Sequence, residues 1–445
     1  MFNALRKRMS YARILALGFI IIIFTGGFLL SLPISSKSGE CTNFLDALFT
    51  ATSATCVTGL VVRDTAEYWS TFGKCVILIM IQIGGIGFMS VVTLMSMIMG
   101  RTIHLKQRKL LMQSAGGLQV GGIITLFKKI IIGTLFFELV GAVLLSFRFC
   151  KDFGILKGIC YAVFHSVSAF CNAGFDLMPG EFTSMTAYVS DPLINIVLMF
   201  LILIGGLGFI VWSDIWSNGL NFSKYRLHTK IVLILTAILT IGGTILFFLF
   251  ERNGVLAQMS FSDALIASAF AAISPRTAGF NTIDLSKLGG ASALINLILM
   301  LIGGNPGSTA GGIKTTTFAV MILTVIASIR RNKDIEIFKK RIDNELSRQA
   351  FSVISIYLTA ILTATLIICA IQNFSLVEVL FETISAAATV GSTMGITTKL
   401  NTLSRIIIMI LMYGGRVGGL TLGMVLAEKQ DNVPVKRPKE DILIG

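Results

Sequence analysis

FHSVSAFCNAGF, residues 164–175, opens on phenylalanine, carries serine four residues on and reaches glycine six residues after that. The outline returns three times, one residue shorter between serine and glycine in the copy at 270–280: FTATSATCVTGL at 49–60, FAAISPRTAGF at 270–280 and FETISAAATVGS at 381–392. Phe49, Phe164, Phe270 and Phe381 pair with Ser53, Ser168, Ser274 and Ser385, and the glycines are Gly59, Gly174, Gly279 and Gly391. Those glycines are separated by 115, 105 and 112 residues. In the apolar run after each copy comes a Gly-Gly pair: Gly84-Gly85, Gly205-Gly206, Gly303-Gly304 and Gly414-Gly415. Glycine is common in membrane helices, but one order kept four times at nearly constant spacing marks an internal repeat.

The composition says what kind of chain carries these units. Of 445 residues, 54% are hydrophobic and only 13% charged, and the mean hydropathy is +0.83. A water-soluble fold has too few polar residues here to cover its apolar surface. Eight apolar runs, near 14–34, 72–99, 122–147, 190–216, 231–250, 290–329, 350–371 and 402–427, are long enough to cross a bilayer as helices. The first follows LRKRMSYAR, but it exceeds a signal-peptide core and lacks a small-x-small cleavage site, so it is expected to be retained. The seven cysteines show no paired spacing and the three histidines are scattered, which argues against a disulfide framework or a zinc site.

The net charge of +14 follows the topology. Basic residues gather at Arg6–Arg13, Arg101–Lys109, Lys224–Lys230 and Arg330–Arg341, in every second connection. The positive-inside rule then predicts that these segments and both termini face the cytoplasm, and the alternation disfavours a nucleic-acid patch. Domain limits follow: an N-terminal segment 1–12, repeats at 13–100, 101–217, 218–330 and 331–428, and a tail at 429–445.

From Phe to Gly each short segment has about ten residues, too few to span a bilayer at 1.5 Å per residue. It therefore enters and leaves on one side. Irregular backbone at that depth is tolerated where it is buried in protein or lines a wet cavity. A glycine after the short helix permits positive φ and lets carbonyls point one way. Four such turns around one axis make a carbonyl ring able to replace a cation's water shell, and the short helices aim their partly negative C-terminal ends at it. The expected fold is an all-α polytopic membrane protein of four helix–pore-helix–helix repeats, with eight spans and four re-entrant loops in pseudo-fourfold order around one pore. Candidate ion-binding residues are Val57, Thr58, Gly59, Asn172, Ala173, Gly174, Thr277, Ala278, Gly279, Thr389, Val390 and Gly391. Asp46, Asp263 and Glu378, near the starts of three short helices, read as helix N-terminal charges or as a cation-attracting vestibule.

These four linked units, with a filter glycine in each, resemble the Trk/Ktr/HKT superfamily of cation transporters over essentially the whole chain. TVG at Thr389–Gly391 resembles the start of the potassium-channel filter, and CVTG, CNAG and RTAG resemble the degenerate forms of this family. Chain length and the short tail make the membrane subunit of bacterial Ktr systems the most similar branch. The resemblance implies potassium bound at filter carbonyls, since Gly59 stands where sodium-selective plant relatives have serine. It also implies a homodimer in the lipid membrane on a cytosolic ring of RCK-type (KtrA-like) subunits that bind ATP or ADP, with no cofactor and no catalysis in this chain. Sodium activation is implied by the resemblance alone.

The third repeat departs from the others. From the first glycine of the pair to the next basic residue the count is 17, 19, 27 and 15 in the four repeats. The excess lies in GGNPGSTAGGIKTTT, which approaches a P-loop except that Ile313 separates Gly312 from Lys314. An ATP-driven pump would need a soluble α/β domain, and no stretch is long enough to form one. The segment reads as a helix break, with Pro306 and five glycines unfavourable to helix and Ser308, Thr309 and Thr315–Thr317 supplying hydroxyls to the freed backbone. The resemblance makes it an intramembrane gating loop, 303–316: Gly303, Gly304, Asn305, Pro306, Gly307, Ser308, Thr309, Ala310, Gly311, Gly312 and Lys314. Arg416 lies mid-span in the last helix, where a charge costs at least about 2.5–3.5 kcal/mol and normally faces a cavity. The resemblance places it beneath the filter as an electrostatic barrier and a donor to loop carbonyls; a structural arginine between helices is the other reading. Lys314 either serves the loop or snorkels to the surface, and Glu138 and Asp214 either pair structurally or act in transport. A sodium-conducting relative and a secondary solute transporter are the competing functions. The latter is built from inverted halves, whereas these repeats all run in one sense.

Overall fold

The computed structural model describes residues 11–87, 123–178, 180, 184–332 and 334–418. The basic segment 101–109, Arg6–Arg8 and the tail at 429–445 lie outside the described residues. Repeat 1 comprises α1 (Tyr11–Ser31), the short α2 (Phe44–Cys56) and α3 (Thr71–Ile86). Repeat 2 comprises α4 (Ile123–Phe153), the short α5 (Ile155–Phe170), and α6 (Pro192–Leu207) followed by α7 (Phe209–Asn218). Repeat 3 has α8 (Leu227–Glu251), the short α9 (Phe261–Ile273), α10 (Gly290–Leu301) and α11 (Thr315–Ile329). Repeat 4 has α12 (Asn344–Ile371), the short α13 (Leu376–Ala388) and α14 (Thr402–Val417). The α1, α4, α8 and α12 helices are each long and apolar enough to cross a bilayer. A small antiparallel hairpin, β1 (Ile335–Ile337) with β2 (Lys340–Ile342), joins repeats 3 and 4.

Local sequence sets the short helices. Asn43 and Ser260 cap α2 and α9, and Ser375 with Glu378 forms a capping box on α13. Glu378 is thus occupied as a cap, and Asp46 is paired with Arg405 at 2.5 Å and Arg63 at 2.9 Å. Both carboxylates serve structure at these helix starts.

The repeat phenylalanines Phe49, Phe164, Phe270 and Phe381 are all buried. They sit in apolar clusters that bridge neighbouring repeats: Leu30, Trp69, Phe164 and Leu201 between repeats 1 and 2; Phe247, Met300 and Phe381 between 3 and 4; Phe49, Tyr357 and Met412 between 4 and 1.

The sequence suggested a broken inner helix in repeat 3 alone. Among the described residues the inner helix of repeat 2 is broken as well. The α3 helix stops at Gly87 (φ 90°), α6 at Gly208 (φ 95°) and α14 at Gly418 (φ 92°), and α6 and α7 are bent by 93°. The glycine that ends each of these helices stands three residues after Gly84, Gly205 and Gly415, positions where a Cβ would overlap the carbonyl oxygens of Thr55, Phe170 and Ala387. These three carbonyls lie four residues before the ring glycines, so the inner helices rest on the ends of the short helices at one register. In repeat 4 that register falls on the second glycine of the pair, which puts Arg416 level with Gly85 and Gly206. What sets repeat 3 apart is a loop from Ile302 to Lys314 in place of a simple bend.

Candidate functional site

The four glycines form a closed ring. A Cβ on Gly59 would stand 2.5 Å from the Ala173 carbonyl oxygen, and one on Gly174 would stand 2.6 Å from that of Ala278. One on Gly279 would meet the Val390 carbonyl, and one on Gly391 the Thr58 carbonyl, closer still. The segments therefore follow one another in chain order round one axis, each glycine packed on the next segment's backbone. Only a residue without Cβ fits.

The backbone there alternates in sign. Val57, Asn172, Thr277 and Thr389 have φ of 58°, 58°, 83° and 53°, and the glycines two residues on have 93°, 70°, 78° and 95°. Thr58, Ala173, Ala278 and Val390 between them lie outside the left-handed region. Left-handed φ at residues with side chains is costly and persists where the surroundings impose it.

Here the surroundings include the repeat serines. The Ser53, Ser168, Ser274 and Ser385 carbonyls each accept from the N–H of the residue before the glycine, at 2.8 Å. Their hydroxyls brace the other side. Ser53 and Ser385 accept from Gly59 N–H and Gly391 N–H at 3.0 Å, while Ser168 and Ser274 donate to the Phe175 and Phe280 carbonyls at 2.7 and 2.5 Å. The serine marked the repeat in the sequence; its bracing function was not read there.

On one side the ring opens into a cavity of about 590 Å³, lined by all four glycines and by Asp176, Asn281, Asp284, Thr393 and Thr397 among others. Burial raises the Asp176 carboxyl to about 7, against donation from Met178 N–H and Ser184. The Asp284 carboxyl is held below its ordinary value by the Ser286 hydroxyl. The cavity thus carries one carboxylate that stays ionised and one that titrates near neutrality.

On the other side lies the repeat 3 loop. Asn305 N–H and Nδ2 donate to the Gly206 carbonyl at 3.2 and 2.7 Å, Thr309 N–H donates to Gly205 at 3.3 Å, and Phe209 N–H donates to Gly307 at 2.8 Å. The Thr309 hydroxyl donates to the Phe170 carbonyl at 3.1 Å. Thr315 bonds Asn305 through its hydroxyl, and the Ser308 hydroxyl donates to the Asn305 carbonyl at 2.7 Å. Lys314 Nζ turns into the loop, 2.6 Å from the Ala310 carbonyl and 3.1 Å from that of Gly311. Gly311 and Gly312 pack on Thr389 and Ala388 at the end of α13. Arg416 Nη1 donates to the Thr309 carbonyl, and Nη2 to those of Gly84 and, at 3.1 Å, Gly85. The loop is thereby tied to repeats 2 and 4 directly and to repeat 1 through Arg416.

Two other intramembrane acids have local partners. Glu138 accepts from Gln82 Nε2 at 3.0 Å behind Cys171, and Asp214 accepts from Arg226 N–H and Asn218 Nδ2, both at 2.9 Å. Neither borders the ring cavity. Among the described residues no group of three His, Cys, Asp or Glu side chains is placed to hold a metal ion.

The family described as TrkH, cation transport protein, matches residues 6–433. The chain is 40% identical to the potassium/sodium uptake protein NtpJ of Enterococcus hirae, over 99% of this chain and 98% of that one. It is 38% identical to the Ktr system potassium uptake protein B of Bacillus subtilis, over 98% and 97%. The crystal structure of the potassium transporter TrkH from Vibrio parahaemolyticus superposes with a TM-score of 0.76 at 18% identity, covering 94% of this chain and 86% of that one. That last likeness concerns the fold.

Proposed function

This chain belongs to the TrkH family of cation transport proteins, and on that premise we propose that it carries potassium into the cell through the glycine ring. A potassium ion entering the cavity sheds water, is held by ring carbonyls, and moves on when the loop beneath yields. The observation that carries this reading is the closed glycine ring with alternating φ, which admits no side chain. The hydroxyl of Thr389, buried and without a hydrogen-bond partner among the described residues, offers a further oxygen on the loop side. Conduction needs binding strong enough to admit the ion and weak enough to release it.

In this reading Gly303–Gly312 is the gate, Lys314 stiffens it, and Arg416 is at once its latch and a positive barrier below the ring. The connections rich in Lys and Arg face the cytoplasm of the cell carrying the protein in its plasma membrane. The 38% identity to a Ktr-system protein supports a homodimer on a nucleotide-binding RCK-type ring, with sodium as a regulator. No nucleotide binds this chain.

Potassium uptake in a bacterium lacking its own uptake systems tests the filter. Gly59→Ser places a side chain against the Ala173 carbonyl at φ 93°, and loss of potassium-over-sodium discrimination is expected. Unchanged discrimination in assembled protein would remove the filter assignment. The 40% identity to a potassium/sodium uptake protein favours sodium conduction as the second reading, and the same assay with sodium as the transported ion decides it.

A further inference from the structure

The strand that leaves the fourth ring glycine is tied back by a carboxyl group with no part in the reading above. Glu382 follows Phe381 on α13 and is 0% exposed. Its Oε2 is 2.7 Å from Thr393 Oγ1 and its Oε1 is 2.5 Å from Thr397 Oγ1, while the two hydroxyl oxygens are 3.1 Å apart. Gly395 N–H donates to Thr393 Oγ1 at 3.0 Å. Glu382 forms no ion pair among the described residues.

The triangle favours the protonated carboxyl. Three oxygen–oxygen contacts at hydrogen-bond distance need three protons, and the two threonines supply two. With an ionised carboxyl, one contact would face lone pair against lone pair, and a buried charge would lack a counterion. With the acid, Glu382 donates to Thr397, Thr397 donates to Thr393, and Thr393 donates back to the second carboxyl oxygen. Each contact is then bridged by one proton, the Glu382–Thr397 bond being the shortest and the Thr397–Thr393 contact the longest of the three.

Repeat 2 uses the same place. His165 follows Phe164, and its Nε2 accepts from Leu177 N–H at 3.1 Å, three residues past Gly174, while its Nδ1 donates to the Tyr161 carbonyl at 2.7 Å. Thr50 in repeat 1 turns to its own helix, and repeat 3 has Ala271. Two of the four ring strands are therefore held from behind by the residue after the repeat phenylalanine.

We propose that Glu382 is held as the neutral acid and is a positioning residue for cation discrimination: its hydrogen-bonded triangle fixes residues 391–397, and so the place of the Gly391 carbonyl. This rests on the filter reading above. A tenfold change in discrimination corresponds to about 1.4 kcal/mol, within what losing one buried hydrogen bond can cost.

The test is potassium-over-sodium uptake in the full-length protein, normalised to the amount in the membrane. Glu382→Gln can accept from Thr393 and donate to Thr397, so its ratio should stay within about twofold of the parent, whereas Glu382→Leu and Thr397→Val should each lower it about tenfold. The double variant Glu382→Leu/Thr397→Val should be no worse than either single one. An infrared carbonyl stretch of a protonated carboxyl should be present at neutral pH and lost in Glu382→Gln. If Gln is as damaging as Leu, or that band is missing, the neutral acid is wrong. If Glu382→Leu and Thr397→Val, or Thr397→Val alone where Leu fails to assemble, keep the parent ratio while Gly59→Ser loses it, the positioning role is wrong and the filter stands. If Gly59→Ser also keeps it, the filter reading itself fails.

Discussion

Arg416 and Thr309, 107 residues apart, are joined by a hydrogen bond from the guanidinium to the loop carbonyl, and the same guanidinium holds the end of α3 through Gly84 and Gly85. One side chain therefore links the loop to two inner helices. Bonds from a charged donor contribute about 1.5–3 kcal/mol each, so losing the latch should raise the open fraction roughly ten- to hundredfold. Arg416→Ala should accordingly raise potassium flux into proteoliposomes at least about tenfold, with Arg416→Lys between the two. A flux equal to the parent's would show that this contact does not hold the loop.

The loop's ends lie side by side. Ile302 and Ile313 form a parallel β-bridge, so the residues between them can be removed without separating α10 from α11. Deleting 306–312 takes away the Thr309 bonds to Gly205, Phe170 and Arg416 and leaves the bridge. Constitutively raised flux is expected. Protein that assembles at normal levels but conducts nothing would mean that the loop supports the pore and does not close it.

The repeat serines set a graded expectation. Ser385→Ala leaves Gly391 N–H buried without its acceptor, at a cost of about 1–3 kcal/mol. Its neighbour in mechanism is Ser53, which holds Gly59 N–H in the same way. Each substitution should lower potassium-over-sodium discrimination several-fold, and the pair should lower it further because the two strands are separate. Discrimination unchanged in both single variants would show that ring geometry survives without the braces.

Much of this was legible because the fold is repetitive. A phenylalanine, a serine and a glycine kept in order four times reveal a unit that no single copy would. Backbone chemistry at Gly59, Gly174, Gly279 and Gly391 follows from glycine's freedom alone, and the broken third helix follows from Pro306 and its glycines. The remainder depends on partners far apart in sequence. The bend at Gly208 and the helix ends at Gly87 and Gly418 were hidden inside apolar runs that read as single spans. Asp46 could not be told from a vestibule charge until Arg405, 359 residues on, came beside it. Lys314 was open between loop and surface until the Ala310 and Gly311 carbonyls closed on it. Glu382 gave no signal at all, since a glutamate on a short helix is ordinary and only Thr393 and Thr397 make it otherwise.

Asp176 supplies a pH dependence with opposite signs for binding and for stability. Its carboxyl is raised to about 7 by burial in the cavity wall, against about 3.9 for an unfolded aspartate. Above pH 7 it is ionised beside the ring; below, it is neutral and the cavity loses a negative charge. Lowering the external pH from 8 to 6 should therefore raise the potassium concentration for half-maximal uptake by about two- to fivefold. Asp176→Asn should show the higher value at both pH values. For stability the sign reverses: between pH 4 and 7 the folded chain binds more protons than the unfolded one, so Asp176 lowers stability as pH rises through that window. The same Asn variant should then melt at a higher temperature than the parent at pH 8 and at the same temperature at pH 4. A half-saturation constant that shifts equally with pH in parent and variant would assign the titration to another group.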